Sequence, residues 1–143
     1  MSARSHWSLT PRQSVERECE IRGERAVVSG CIAMLRSRSV DGELILALGG
    51  PPADWVRTGE APAPDHWMRV WAARGLLYAW HGSAEPAVRS ALEDESWRVR
   101  EGALKVVARR GLTKERALVE RMRNDDSARV GASALRTLRS LTN

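Results

Sequence analysis

The sequence predicts an all-α protein, an α-α superhelix of stacked antiparallel helix pairs, and three observations predict it. Apolar residues recur at helical spacing in five consecutive segments after residue 64. The connections between those segments run only two to four residues, which forces neighbouring helices to run antiparallel. One short motif recurs three times at nearly constant spacing, the mark of a repeat architecture.

Taken in order, residues 1–9 carry no periodicity and read as a flexible tail. Thr10-Pro11-Arg12-Gln13 reads as a helix start. The Thr hydroxyl can accept from an orphan amide, Pro suits the first helical position, and Gln at the third can reach back to the cap. A helix over 11–22 follows, with Gly23 as its break. Val28, Cys31/Ile32 and Leu35 then mark a second helix over 24–37. Asp41 is placed to cap a short apolar helix from Glu43 to Leu48, stopped by Gly49-Gly50.

From Gly49 to Pro64 the chain holds four Pro and three Gly. Each Pro removes an amide donor and restricts its predecessor, so neither helix nor strand runs through. A loop of this length in a helical domain is functional or disordered. Beyond it, helices are expected at 65–81, 84–92, 96–110, 114–123 and 127–141. Their apolar stripes are Val70/Ala73/Leu77/Trp80, Val88/Ala91/Leu92, Val99/Ala103/Val106/Val107, Leu118/Val119/Met122 and Val130/Ala134/Leu138/Leu141. The domain expected is 10–143: a divergent N-terminal cap over 10–49, the loop at 50–64, and repeat units over 65–143.

The repeated motif is Asp-x-x-x-Arg-Val, at Asp65…Arg69-Val70, Asp94…Arg98-Val99 and Asp125…Arg129-Val130, with spacings of 29 and 31 residues. A small residue stands three places after each Val: Ala73, Gly102, Ser133. Physically, Asp near a helix start satisfies free amides, and Arg four residues on is in reach of it. Val points inward, and the small residue allows close approach of a partner helix.

Leu92-Glu-Asp94-Glu-Ser-Trp-Arg-Val99-Arg100-Glu-Gly102-Ala103-Leu104 resembles a HEAT repeat, including the phycobilisome-lyase variety. The resemblance is strongest over residues 83–141, with 42–81 as a degenerate unit. It implies that the Val-bearing helices line the concave side of a short solenoid and that the 50–64 loop lies at an edge where such proteins engage partners. The Arg that follows Val in the family survives only as Arg100, since Trp71 and Gly131 hold the other two positions. That departure puts in doubt a ladder of Asp and Arg between repeats. Some HEAT-like proteins are DNA glycosylases with aromatics and an Asp in a basic groove. Trp67, Trp71, Asp94 and Arg100 supply those residue types but do not map onto that motif.

Composition bounds the function. The 143 residues are 43% hydrophobic and 29% charged, which fits one globular domain. The two cysteines, Cys19 and Cys31, make neither a disulfide framework nor a metal site, so a reduced, cytoplasmic chain is expected. No run approaches the length of a membrane span. The three His are scattered, and no nucleophile triad, phosphate loop or carboxylate pair can be assembled. No catalytic, cofactor-binding or metal site is therefore expected. Glu16, Glu18, Glu20 and Glu24 read as a solvated helix face.

The net charge of +5 is uneven. Residues 1–95 hold 11 Arg against 13 acids, while 96–143 hold 12 Arg and Lys against 5. Such asymmetry suits an acidic partner or a nucleic acid. Of the six Trp, Trp67, Trp71 and Trp80 fall on one expected helix, with Trp55 in the loop. They either fill a core that has no Phe or line an aromatic groove. Across the units Arg69, Arg98 and Arg129 share one register, and Lys105 and Arg136 another. The expectation is a non-catalytic binding module for another protein, an adaptor. A nucleic acid held by the basic C-terminal third is the second reading. Expected partner-binding residues are Trp55, Arg57, Trp67, Trp71, Arg98, Arg100, Lys105, Arg109 and Arg136.

Overall fold

The computed structural model describes residues 9–36, 42–49 and 66–141. These residues are helical apart from short turns, with no strand among them. Two compact units divide the chain, Met1–Ala84 and Glu85–Asn143. The tail, the Asp41 cap and the 50–64 loop lie outside the described residues.

The first unit opens with α1, Pro11–Arg22. Its start is the expected capping box: Thr10 Oγ1 accepts the Gln13 amide at 3.1 Å, and Gln13 Oε1 accepts the Thr10 amide at 3.0 Å. Gly23 alone links it to α2, Glu24–Leu35. At φ +90° Gly23 holds a conformation that side-chain-bearing residues rarely adopt, and its N–H still donates to the Cys19 carbonyl. Next come α3, Gly42–Gly49, and α4, His66–Gly75. α1 packs on α2 and α3, and α4 packs on both α2 and α3. Val27, Val28, Cys31 and Met34 of α2, Leu44, Ile45 and Leu48 of α3 and Trp71 of α4 are all buried. The Arg74 guanidinium donates to the Leu48 carbonyl, tying α4 to the last turn of α3.

Three expectations are corrected here. The helix expected over 65–81 stops at Gly75. Past it, amides bond three residues back, Leu77 to Arg74 and Tyr78 to Gly75, and the Trp80 amide goes to Glu24 Oε2 at 3.0 Å. A carboxylate at the start of α2 thus takes the donor that a longer helix would spend on its own backbone. Trp80 consequently leaves the helix that carries Trp67 and Trp71. The buried face of α4 is also turned from the expected stripe: Trp71 at 3% and Ala72 at 0% exposure face the core, while Val70, Leu77 and Trp80 are half-buried. Finally, Glu18 is not solvated. It is buried on α1 and pairs with Arg22 one turn on, at 3.0 Å.

The second unit holds α5, Glu85–Ala91, and α6, Trp97–Arg110. After a 3-10 turn at Thr113–Glu115 it continues with α7, Arg116–Arg121, a second 3-10 turn at Met122–Asn124, and α8, Ala128–Leu141. α5 packs on α6 and α7 on α8, giving two helix pairs, and α6 packs on α8 to join them. The expected stripes of α6 and α8 are all buried: Val99, Ala103, Val106 and Val107 on α6, and Val130, Ala134, Leu138 and Leu141 on α8. The helix expected over 114–123 is a six-residue α-helix between 3-10 turns. Arg116 Nη2 donates to the Leu141 carbonyl at 2.7 Å, so one pair closes the C-terminal end of α8 with its own first helix.

Candidate interaction surface

The motif that marks each repeat is spent on holding the second unit together. Asp94 Oδ1 accepts the Ser96 amide at 2.8 Å, and Asp125 Oδ1 accepts the Ser127 amide at 2.9 Å. Ser96 and Ser127 stand directly before α6 and α8, so the Asp fixes the turn that delivers the chain to each helix rather than capping its first amides. The Arg four residues on does not fold back on Asp125. Instead Arg100 of the preceding repeat grips Asp125 with two bonds, Nε to Oδ2 at 2.9 Å and Nη2 to Oδ1 at 3.0 Å. Its third donor, Nη1, reaches the Asp94 carbonyl at 2.7 Å. Arg129 in turn pairs with Glu101 at 2.8 Å. A ladder between repeats therefore exists, and the single retained family Arg is enough to make its first rung.

The position after the motif Val does three different jobs. Trp71 fills the core of the first unit, Arg100 bridges two repeats, and Gly131 permits contact. A Cβ built on Gly131 would lie 2.9 Å from the Arg123 carbonyl oxygen, so only glycine lets α8 approach the Met122–Asn124 turn. The sequence departs from the family pattern at 71 and 131 because those units need volume and clearance there, not charge.

Beside these pairs, the outward side of α6 and α8 carries a set of exposed cations. Arg98, Lys105 and Arg109 are the exposed charges of α6, and Arg129, Arg136 and Arg139 those of α8. Thr137 Oγ1 donates to the Leu104 carbonyl at 3.3 Å, which sets Arg136 level with Lys105 across the two helices. Glu101 alone brings an acid to this face, and its side chain, 12% exposed, is taken by Arg129. Trp97 stands at one end with the Arg98 guanidinium 4.5 Å and the Arg129 guanidinium 5.6 Å from its ring centre, cation–π distances that occupy the ring.

Of the expected partner-binding residues, the fold brings Arg98, Lys105, Arg109 and Arg136 onto this face. Arg100 is mostly buried in its pair with Asp125, at 17% side-chain exposure. Trp67 and Trp71 belong to α4 in the first unit, where Trp71 is core and Trp67 is half-buried with its ring 5.0 Å from that of His66. Trp55 and Arg57 lie outside the described residues. Sequence reasoning passed over Glu101 and the double stacking on Trp97. Glu101 meets Arg129 at a separation of 28 residues, three short of the repeat, so no periodicity points to it.

Elsewhere the chemistry is structural. Arg89 holds Glu115 through Nε and Nη2 at 2.8 and 2.9 Å, which keeps the buried Glu115 carboxyl below its ordinary range. Glu85 shares a hydrogen bond with Glu115, and this contact raises its own carboxyl. Burial pushes the Cys31 thiol up to about 12, far from a reactive thiolate. Among the described residues no group of His, Cys, Asp or Glu fits a metal ion, and no helix is long and apolar enough to cross a membrane. An open depression lined by Ala117, Glu120, Arg121, Arg123 and Asn124 lacks the apolar floor of a small-molecule site.

No curated protein and no solved structure matches the chain. A family model described as HEAT repeats does match, over residues 60–139, which takes in α4 to α8 and more than half of the sequence. With two packed helix pairs, Asp-x-Ser turns entering the second helix of each, and a bridging Arg between them, the chain belongs to the HEAT repeat family.

Proposed function

We propose that this protein is a non-catalytic binding module, an adaptor for another protein, and that the outward face of α6 and α8 is its contact surface. HEAT repeats commonly mediate protein–protein interaction. The observation that carries the reading is a division of labour among cations. Arg89, Arg100, Arg116 and Arg129 hold the second unit together through Glu115, Asp125, the Leu141 carbonyl and Glu101. Lys105 and Arg136 stand exposed at one register with no ion-pair partner among the described residues. Two exposed cations side by side at one register repel each other, and an acidic group on a bound partner relieves that cost.

The test is site-specific photo-cross-linking in cells of the source. A photoreactive residue at Ala132, exposed between Arg129 and Arg136, is expected to yield a discrete protein adduct. The same residue at Ala117, exposed on α7, is expected to yield none. Adducts from 117 but not from 132, or from neither position, would count against the proposal.

A further inference from the structure

We propose that Glu85, Arg89 and Glu115 form a proton-operated latch between the two helix pairs of the second unit. Arg89 of α5 forks both oxygens of Glu115, at 2.8 and 2.9 Å, and so ties the first pair to the 3-10 turn that opens the second. Glu115 is buried, at 3% exposure. Glu85 stands four residues before Arg89, one turn back on the same helix, which brings its carboxyl to the same place. Glu85 Oε2 is buried there without a hydrogen-bond partner. A buried carboxylate oxygen with no donor, beside a second carboxylate, is costly to ionise. A proton on Glu85 removes that cost: the carboxylic O–H donates to Glu115, whose charge stays with Arg89. The hydrogen bond with Glu115 accordingly raises the Glu85 carboxyl, while the bonds from Arg89 lower that of Glu115.

Loss of that proton opens the latch. Glu85 releases it to water, and two carboxylates then compete for one guanidinium that Glu115 already fills. The groups set against Glu85 decide where its charge goes. From the turn come Glu115, which repels it, and the exposed Lys114, which attracts it; from its own helix comes Arg89. α6, which packs on α5, carries Lys105, Arg109 and Arg110 over its second half, the first two exposed. His81, four residues ahead of Glu85, is engaged with Ser83 through Nδ1. The ionised Glu85 carboxylate therefore swings away from Glu115 toward the Lys114 ammonium and water. Free amides at the start of a helix favour a carboxylate beside them, which helps hold it there. Arg89, its side chain 50% exposed, is left to keep the joint alone, and α5 loosens from the second pair. The latch is closed below the window in which Glu85 titrates and opens as pH rises through it.

The experiment follows amide hydrogen exchange of the full chain by mass spectrometry across a pH series, expressed as protection factors, which remove the intrinsic pH dependence of exchange. In the wild type, protection over residues 85–91 is expected to fall by up to about tenfold per pH unit across the Glu85 window and then level off. Residues 130–138 of α8 should keep theirs. Glu85→Gln keeps the donor without the charge and should hold 85–91 protected at every pH. Lys114→Gln withdraws the cation that receives the ionised carboxylate and should move the fall to higher pH. Titration of His81 persists in Glu85→Gln, so a fall that survives this variant overturns the latch. Flat protection in the wild type overturns it too, and so does a fall shared equally by 130–138, which is global unfolding. If Glu85→Gln loses helicity by circular dichroism, Lys114→Gln decides: a fall that stays in place or moves to lower pH overturns the proposal. The latch lies on α5 and the turn, so its outcome is independent of the contact surface proposed above.

Discussion

At the scale of single residues, several of the arginines that give this chain its charge are structural. Arg100 is the sharpest case, because it combines a fork on Asp125 with a bond to the Asp94 carbonyl and is largely shielded from water. Removing one partner of such a pair strands the other, so Arg100→Ala is expected to cost about 3 kcal/mol in urea unfolding. Arg100→Lys should recover only part of that, since an ammonium cannot make the two parallel bonds. Asp125→Ala should cost at least as much, because Asp125 Oδ1 also accepts the Ser127 amide. The double variant should fall short of the sum. A loss under about 0.5 kcal/mol for Arg100→Ala would place the pair among ordinary surface ion pairs.

At the scale of elements, the junction between the Met122–Asn124 turn and α8 is governed by Gly131. Alanine is ordinarily the better helix residue by about 1 kcal/mol. Here its methyl would meet the Arg123 carbonyl oxygen at 2.9 Å, and backbone, unlike a side-chain tip, has little room to give. Overpacking of this kind costs about 1–3 kcal/mol, so Gly131→Ala is expected to lower the melting temperature despite its propensity. A higher melting temperature would mean that the 3-10 turn shifts freely. The same reasoning explains why α7 is so short. Its last turn tightens to 3-10 geometry at Met122–Asn124, where the Arg123 carbonyl lies against Gly131 of α8.

At the scale of the whole molecule, stability should depend on pH through Glu85 and Glu115. The bond from Arg89 lowers the Glu115 carboxyl in the fold, so its contribution is present above the unfolded value and lost as pH falls through the folded one. Glu85 is opposite in sign. Its hydrogen bond with Glu115 raises its carboxyl, the native state holds a proton that the unfolded chain releases, and stability falls as pH rises through that window. Stability should therefore peak in mild acid, where Glu85 keeps its proton and Glu115 is ionised. Glu85→Gln keeps a donor beside Glu115 and should flatten the decline toward neutral pH in thermal scans. An unchanged slope would show that the two carboxyls do not share a proton.

The amino-acid sequence determined the class of the fold and the core of its second unit, because those depend on local periodicity. Val99, Ala103, Val106 and Val107 on one helix, and Val130, Ala134, Leu138 and Leu141 on another, are buried as their spacing requires. Capping at Thr10 and the break at Gly23 were legible for the same reason, since both follow from the chemistry of a few adjacent residues. Tertiary structure alone decided which charges were spent. Arg100 finds Asp125, and Arg129 finds Glu101, across 25 and 28 residues, and although the repeated motif marks both arginines it does not say which acid each one meets. It also decided where α4 ends, because the carboxylate that captures the Trp80 amide comes from Glu24, 56 residues away. An ion pair is set by which atoms meet after the helices pack, and that is settled only once the fold has formed.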